Sequence, residues 1–229
     1  MGKVIITEDT TKYPITMIGR YAGECWGADT SDSNKNYKRG LDCLESEHGR
    51  TWEFPDVYMI LDGYSARVIR EWYTHLGGSP TRLQASTRYI DYEHGFNYVV
   101  PSSIRSDETR YDIYTEAIHQ INKALVELDE LGVPREDSAM LLPLGMTTKI
   151  ACKHNFRNLA DMSGQRMCTR AYWEYRNIMN DLSKALKEYS DEWKILVEMY
   201  FKPKCEKVGF CTEKKSCGRK PKKGDKTNE

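Results

Sequence analysis

From residue 106 to residue 132 the apolar side chains Ile113, Tyr114, Ala117, Ile118, Ile121, Leu125, Leu128 and Leu131 recur at helical spacing. That period commits this stretch to one long amphipathic helix, with Ser106 as its candidate N-cap and Gly132 then Pro134 as its stop. Shorter signals surround it. Residues 3–7 and 57–61 read as strands, 37–44 as a short helix, and Ser65 as the cap of a helix through Ala66, Val68, Ile69 and Trp72. Beyond the long helix, 140–144 is a short apolar segment broken by Pro143, and 147–153 reads as a strand. Asn155 caps a helix through Arg157, Leu159 and Met162, and 171–200 carries one long helix or two in series. The expected class is α/β: a mixed or antiparallel sheet with flanking helices, sheet mainly in the first half and helices in the second. No internal repeat is visible. After Pro203 lysine, glycine and spaced cysteines replace any hydrophobic period, so a folded domain over 1–201 and a flexible tail over 202–229 are expected.

Charge narrows the function classes. The 34 Lys/Arg and 34 Asp/Glu cancel overall, but 202–229 holds ten Lys/Arg against four Asp/Glu, a net of +6, which leaves −6 for the rest. A body of that sign lacks the basic face that general nucleic-acid binding needs. No apolar run is long enough to span a bilayer, the N-terminus lacks a signal-peptide pattern, and Ile6 stands where myristoylation wants Ser or Thr, so a cytoplasmic protein is expected. Seven cysteines in that setting imply reduced thiols rather than a disulfide framework. Cys205, Cys211 and Cys217 recur every six residues, without the paired C-x-x-C of a strong zinc site. Three thiolates would need a fourth ligand from elsewhere, so no metal is expected.

The run from 73 to 92, YTHLGGSPTRLQASTRYIDY, is polar without amphipathic period and makes poor core. It offers what an anionic heterocycle requires: the guanidinium forks of Arg82 and Arg88, the hydroxyl of Ser86, the amide of Gln84, and a Gly77-Gly78 turn through which backbone N–H groups can approach. His75 opens the run. These residues read as a nucleotide site.

At this point the chain resembles the flavin-dependent thymidylate synthases. Their signature R-H-R-x7-S-x-R is matched here by Thr74-His75-Leu76, nine residues, then Ser86-Thr87-Arg88. Further blocks follow in the same order: Glu47-His48-Gly49 with Trp52-Glu53, then Leu142-Pro143-Leu144 with Asn155, Arg157 and Leu159, then Arg166 with Ala171, Trp173 and Glu174.

The resemblance implies an α/β homotetramer with active sites shared between subunits. It implies an enzyme that uses FAD, reduced by NADPH, to pass the one-carbon unit of methylenetetrahydrofolate to C5 of dUMP without an enzyme nucleophile. Ser86 and Arg88 then match nucleotide ligands, and Arg166 matches an arginine that grips the uracil and stabilises negative charge on it; Ser86 and Arg166 are the catalytic candidates. His75, Asn155 and Arg157 match flavin contacts, Asp161 stands where that family usually has Asn, and His48 matches a histidine near flavin and folate.

The departures remove cations. Thr74 and Leu76 replace both arginines of R-H-R, Ala139 replaces another before the L-P-L block, Gln84 replaces a glutamate and Phe54 a second histidine. Each lost charge-assisted bond to phosphate is worth roughly 1.5–3 kcal/mol, so compensation is expected from Arg82, brought by the two-residue insertion, and from Arg70 on the preceding helix. The altered motif leaves two other readings open: an enzyme that leaves a hydroxymethyl or related group on the pyrimidine, and a nucleotide-binding protein without catalysis.

Overall fold

The computed structural model describes residues 2–78, 80–92 and 94–224; Ser79 of the polar run and the last five residues of the tail lie outside it. Its centre is a sheet of four strands in the order β1-β2-β4-β3, all pairs antiparallel, formed by β1 (Lys3–Ile6), β2 (Asp56–Ser65), β3 (Thr81–Gln84) and β4 (Thr147–Asn155). Val57, Met59 and Leu61 of β2 alternate into the core, in step with Ile150, Cys152 and His154 of β4, as period-2 geometry demands.

The helices on that buried face come from both halves of the chain. They are α1 (Pro14–Cys25), α2 (Ser33–Glu45), α3 (Ala66–Trp72), α7 (Phe156–Arg166), α8 (Trp173–Tyr189) and α9 (Asp191–Tyr200). The stretch read as one helix or two is two, because Ser190 leaves helical geometry and its side chain caps α9 by accepting from the Trp193 N–H at 3.2 Å. Ser65 and Asn155 cap α3 and α7 as expected, accepting from the N–H groups of Val68 and Asn158.

Three expectations need correction. The long helix α5 (Glu108–Glu130) starts one residue later than the expected cap implied: Asp107, not Ser106, is the cap and accepts from the Arg110 N–H at 2.9 Å. Ser106 instead ends the short α4 (Ser102–Arg105). Gly132 does close the region, at φ +74°.

The polar run is not all loop either. Residues 81–84 form β3 on the sheet edge, Arg82 opposite Cys152 and Gln84 opposite Ile150, where solvent-facing side chains hide the strand pattern. Helix α1 gave no signal because Gly19 and Gly23 lower its propensity. They are there for packing: a Cβ on Gly19 would lie 1.8 Å from the Asn36 carbonyl oxygen, and one on Gly40 2.0 Å from that of Ile15. Two small α6 (Arg135–Ser138) and α10 (Lys204–Val208) helices complete the set.

At the end of β2 the register slips between Asp62 and Tyr64, with Gly63 at φ +78°. The bulge turns Ser65 inward, where its N–H donates to the buried Glu174 carboxylate at 2.7 Å. That contact ties the start of α8 to the start of α3, and so fixes where the chain enters the polar run.

Candidate active site

Helix α7 organises the site. At its N-terminus, Asn155 is buried and its side-chain amide lies so close to Gly78 that a Cβ there would sit 2.3 Å from Nδ2. Gly77 packs likewise on Asn158. The glycine pair therefore lets the polar run cross the helix start in contact with it, at a φ of +71° for Gly78 that L residues avoid. Two residues past Asn155, the exposed Arg157 pairs with Glu53 (Nη1–Oε1 2.6 Å) and passes beside Gly49, next to the exposed His48. Asp161 follows at i+4, also exposed, on the same helix face as Arg157.

The far end of α7 carries Arg166. Its Nε–H donates to His75 Nε2 at 2.9 Å, its Nη1 lies 3.4 Å from Glu71 Oε2, and its guanidinium sits 4.7 Å from the centre of the Tyr175 ring. Burial, then the neighbouring cations Arg166 and Arg82, push His75 down to about 4, so its imidazole is neutral and free to accept from Arg166. Below it, Tyr175 is fully buried, and its hydroxyl has no hydrogen-bond partner among the described residues. His154 underlies the same corner: Trp72 Nε1–H donates to its Nε2 at 3.0 Å, its Nδ1 meets Asn158 Oδ1 at 2.5 Å, and burial lowers it to about 4.

So the structure gathers His48, His75, Asn155, Arg157, Asp161 and Arg166 around one helix. Arg82 joins them from β3, but its Nη1 donates to the carbonyls of Trp72, Tyr73 and His75 at 3.1–3.3 Å, closing the end of α3. Arg70 lies exposed in the last turn of α3.

Ser86 and Arg88 stand apart. Ser86 lies four residues beyond Arg82, about 13 Å along an extended strand, at the Lys149 end of β4 rather than the His154 end. There the Ser86 hydroxyl accepts from the Arg88 N–H at 3.3 Å, Gln84 reaches Thr148 at 3.4 Å, and Arg88 pairs through Nε with Glu136 at 2.9 Å. Both partners of that pair are well exposed, so it is worth at most about 1 kcal/mol and yields readily to a better anion. A cavity of about 240 Å³ adjoins this end of the strand, lined by Ala85, Ile90, Tyr92, Phe96 and Thr148 among others.

Sequence reasoning missed Glu71, 95 residues before Arg166, and Tyr175, nine residues after it, which together hold its guanidinium. Glu53 was visible only as part of a block. A tyrosine in the first turn of a helix, as Tyr175 is in α8, carries no signal of its own.

Comparison with known proteins now adds to this geometry. The family model described as thymidylate synthase complementing protein matches residues 9–190. A flavin-dependent thymidylate synthase of Nitratidesulfovibrio vulgaris is 28% identical over 216 residues, covering 88% of this chain and 84% of that protein. One from Thermococcus kodakarensis is 30% identical over 171 residues, 72% of this chain and 68% of the other. Among solved structures, a UMP/dUMP methylase PolB from Streptomyces cacaoi bound with 5-Br dUMP superposes with TM-score 0.69 at 15% identity, over 87% of this chain and 96% of that one. The flavin-dependent thymidylate synthase ThyX from Helicobacter pylori, complexed with FAD and dUMP, gives 0.65 at 17%, over 85% and 99%. The chain belongs to the flavin-dependent thymidylate synthase family.

Proposed function

We propose that this protein is a thymidylate synthase that uses FAD to methylate dUMP at C5, with methylenetetrahydrofolate as carbon donor and NADPH as reductant. The observation that carries the reading is the Arg166–His75 contact over Tyr175. A pyrimidine that becomes nucleophilic at C5 develops negative charge on its ring oxygens, and an arginine answers it without giving up its own proton. Arg166 is half-buried, which strengthens its field, and the neutral His75 and Glu71 hold its plane.

The residues present fit a flavin. The unpartnered Tyr175 hydroxyl under His75, the exposed Arg157 and the Asn155–Gly78 contact offer donors and a close backbone approach along one strip. His75, Asn155, Arg157, Asp161 and His48 would hold FAD there; when bound, it supplies the carbon-transfer and hydride chemistry that no side chain can. Ser86, Arg88 and Gln84 would take the nucleotide, Arg88 exchanging Glu136 for the phosphate. Arg70 and the remaining N–H groups of Arg82 are the other cations in reach of that role.

Ser86 and Arg166 lie toward opposite ends of the sheet edge, which supports an active site completed by a second subunit. Two exposed apolar surfaces support a homotetramer. Ile5, Ile60, Ala151 and Leu83 are cross-strand neighbours in one row over the open sheet face, with Leu83 75% exposed. Helix α5 leaves Ile113 69% exposed and buries only Ile118 and Leu125 fully.

The test is tritium release from C5-labelled dUMP, run with and without the folate while flavin oxidation is followed. Release that requires both FAD and the methylene donor supports the reading. A protein that stays colourless with added FAD and releases no tritium contradicts it.

A further inference from the structure

The tail supplies an arrangement that the proposed reaction does not use. Cys205, Cys211 and Cys217 come together with Cys168, two residues past Arg166, as lining of one cavity of about 320 Å³. Cys168 comes from the body and the others from the tail. The fourth thiol that the spacing of the tail cysteines lacked is therefore provided by the fold.

Polar contacts tie the tail to the body: Lys207 donates to the Ala160 carbonyl at 3.0 Å and Arg170 pairs with Glu213 at 3.3 Å, but apolar packing is sparse. From Thr212 to Pro221 there is no aliphatic or aromatic side chain, and α10 buries no residue. Yet the chain returns on itself: Cys211 N–H donates to the Pro221 carbonyl at 2.7 Å, closing a loop with Cys217 near its tip. Next to Cys217, Gly218 turns at φ +85°, and its N–H donates to the Ser216 hydroxyl at 3.1 Å. A segment this small and polar needs a staple to stay ordered. Arg170, Lys204, Lys215, Arg219 and Lys220 line the same cavity with one carboxylate, Glu213; Arg170 pairs with Glu213 and Arg219 with Glu206, which leaves the three lysines to offset the two net negative charges of a divalent ion bound by four thiolates.

We infer that Cys168, Cys205, Cys211 and Cys217 form a structural zinc site that fastens the tail to the end of α7. Among the described residues no three His, Cys, Asp or Glu side chains are already gathered closely enough to hold an ion. The metal draws the four sulfurs together, as folding and binding are coupled in small thiolate sites, and releases their protons to solvent. Because Cys168 follows Arg166 so closely, the clamp also fixes the helix end that presents the guanidinium.

The experiment uses the untagged full-length chain, purified reduced, with metal content measured by mass spectrometry and Co²⁺ offered in place of zinc. Expected are one zinc per chain, the intense visible bands of tetrahedral thiolate-bound cobalt, and a tail that resists trypsin until a chelator is added. Cys168→Ser and Cys217→Ser each lose the metal, while Cys25→Ser, at an exposed cysteine outside the cluster, keeps it. Chain free of zinc that gives no cobalt bands overturns the inference. So does zinc retained in both cluster variants, or a mass showing the tail cysteines joined as disulfides. Metal content and trypsin resistance are read without turnover, so these results are separable from failure of the proposed enzyme activity.

Discussion

In the proposed reaction Arg166 answers the charge that develops on the pyrimidine, and its environment makes its loss specific. Arg166→Ala removes a cation from the developing uracil charge, and kcat should fall about 10²–10³-fold, the usual cost of deleting one such donor. Steady-state tritium release, with flavin content checked by absorbance, reads this directly. His154 gives a second prediction. Its folded value of about 4 against 6.5 for free imidazole means that the unfolded chain binds the proton more readily. Its stabilising contribution is complete above pH 6.5 and is lost as pH falls toward 4, by up to about 3 kcal/mol from this group. His75 shifts in the same direction. Thermal melts over that range should show the decline, and His154→Gln, which keeps an acceptor for Trp72 but cannot titrate, should flatten part of it. The sequence exposed His75 and Arg166 because each sits in a local motif. It could not expose their contact, nor Glu71 and Tyr175, because those depend on how α3, α7 and α8 meet.

Among the elements, those with a strong internal period were legible and those built by tertiary contact were not. Helix α5 stood out, yet only Ile118 and Leu125 of its stripe are buried. Helix α1 was hidden by the glycines that let it touch α2. Gly19→Ala should therefore destabilise the fold by about 3 kcal/mol, at the upper end of overpacking costs, because the new methyl meets backbone that cannot move aside. Gly132→Ala, with open space around it, should cost about 1–2 kcal/mol for its left-handed φ alone. Urea unfolding of the two variants orders them, and equal losses would refute the close crossing. Strand β3 was masked for another reason: on the sheet edge three of its four residues are exposed, so the alternation that marks a half-buried strand disappears.

For the whole molecule, the open sheet face and α5 leave apolar side chains exposed, the surfaces on which the proposed homotetramer would form. Leu83→Glu places a charge on a side chain already exposed in the single chain, so it should leave the monomer folded while lowering the assembly mass seen by light scattering. If Arg166 of one subunit serves Ser86 and Arg88 of another, activity should fall with assembly; a fully active monomer would show that one chain suffices. Among the described residues no helix is long and apolar enough to cross a membrane. The most direct measurement for the central claim is the mass of the nucleotide after one turnover with FAD, NADPH, methylenetetrahydrofolate and dUMP. The account predicts dUMP converted to its 5-methyl product in wild type and little conversion in Arg166→Ala. Recovery of unchanged dUMP, or of a hydroxymethylated nucleotide, from the wild-type protein would contradict it.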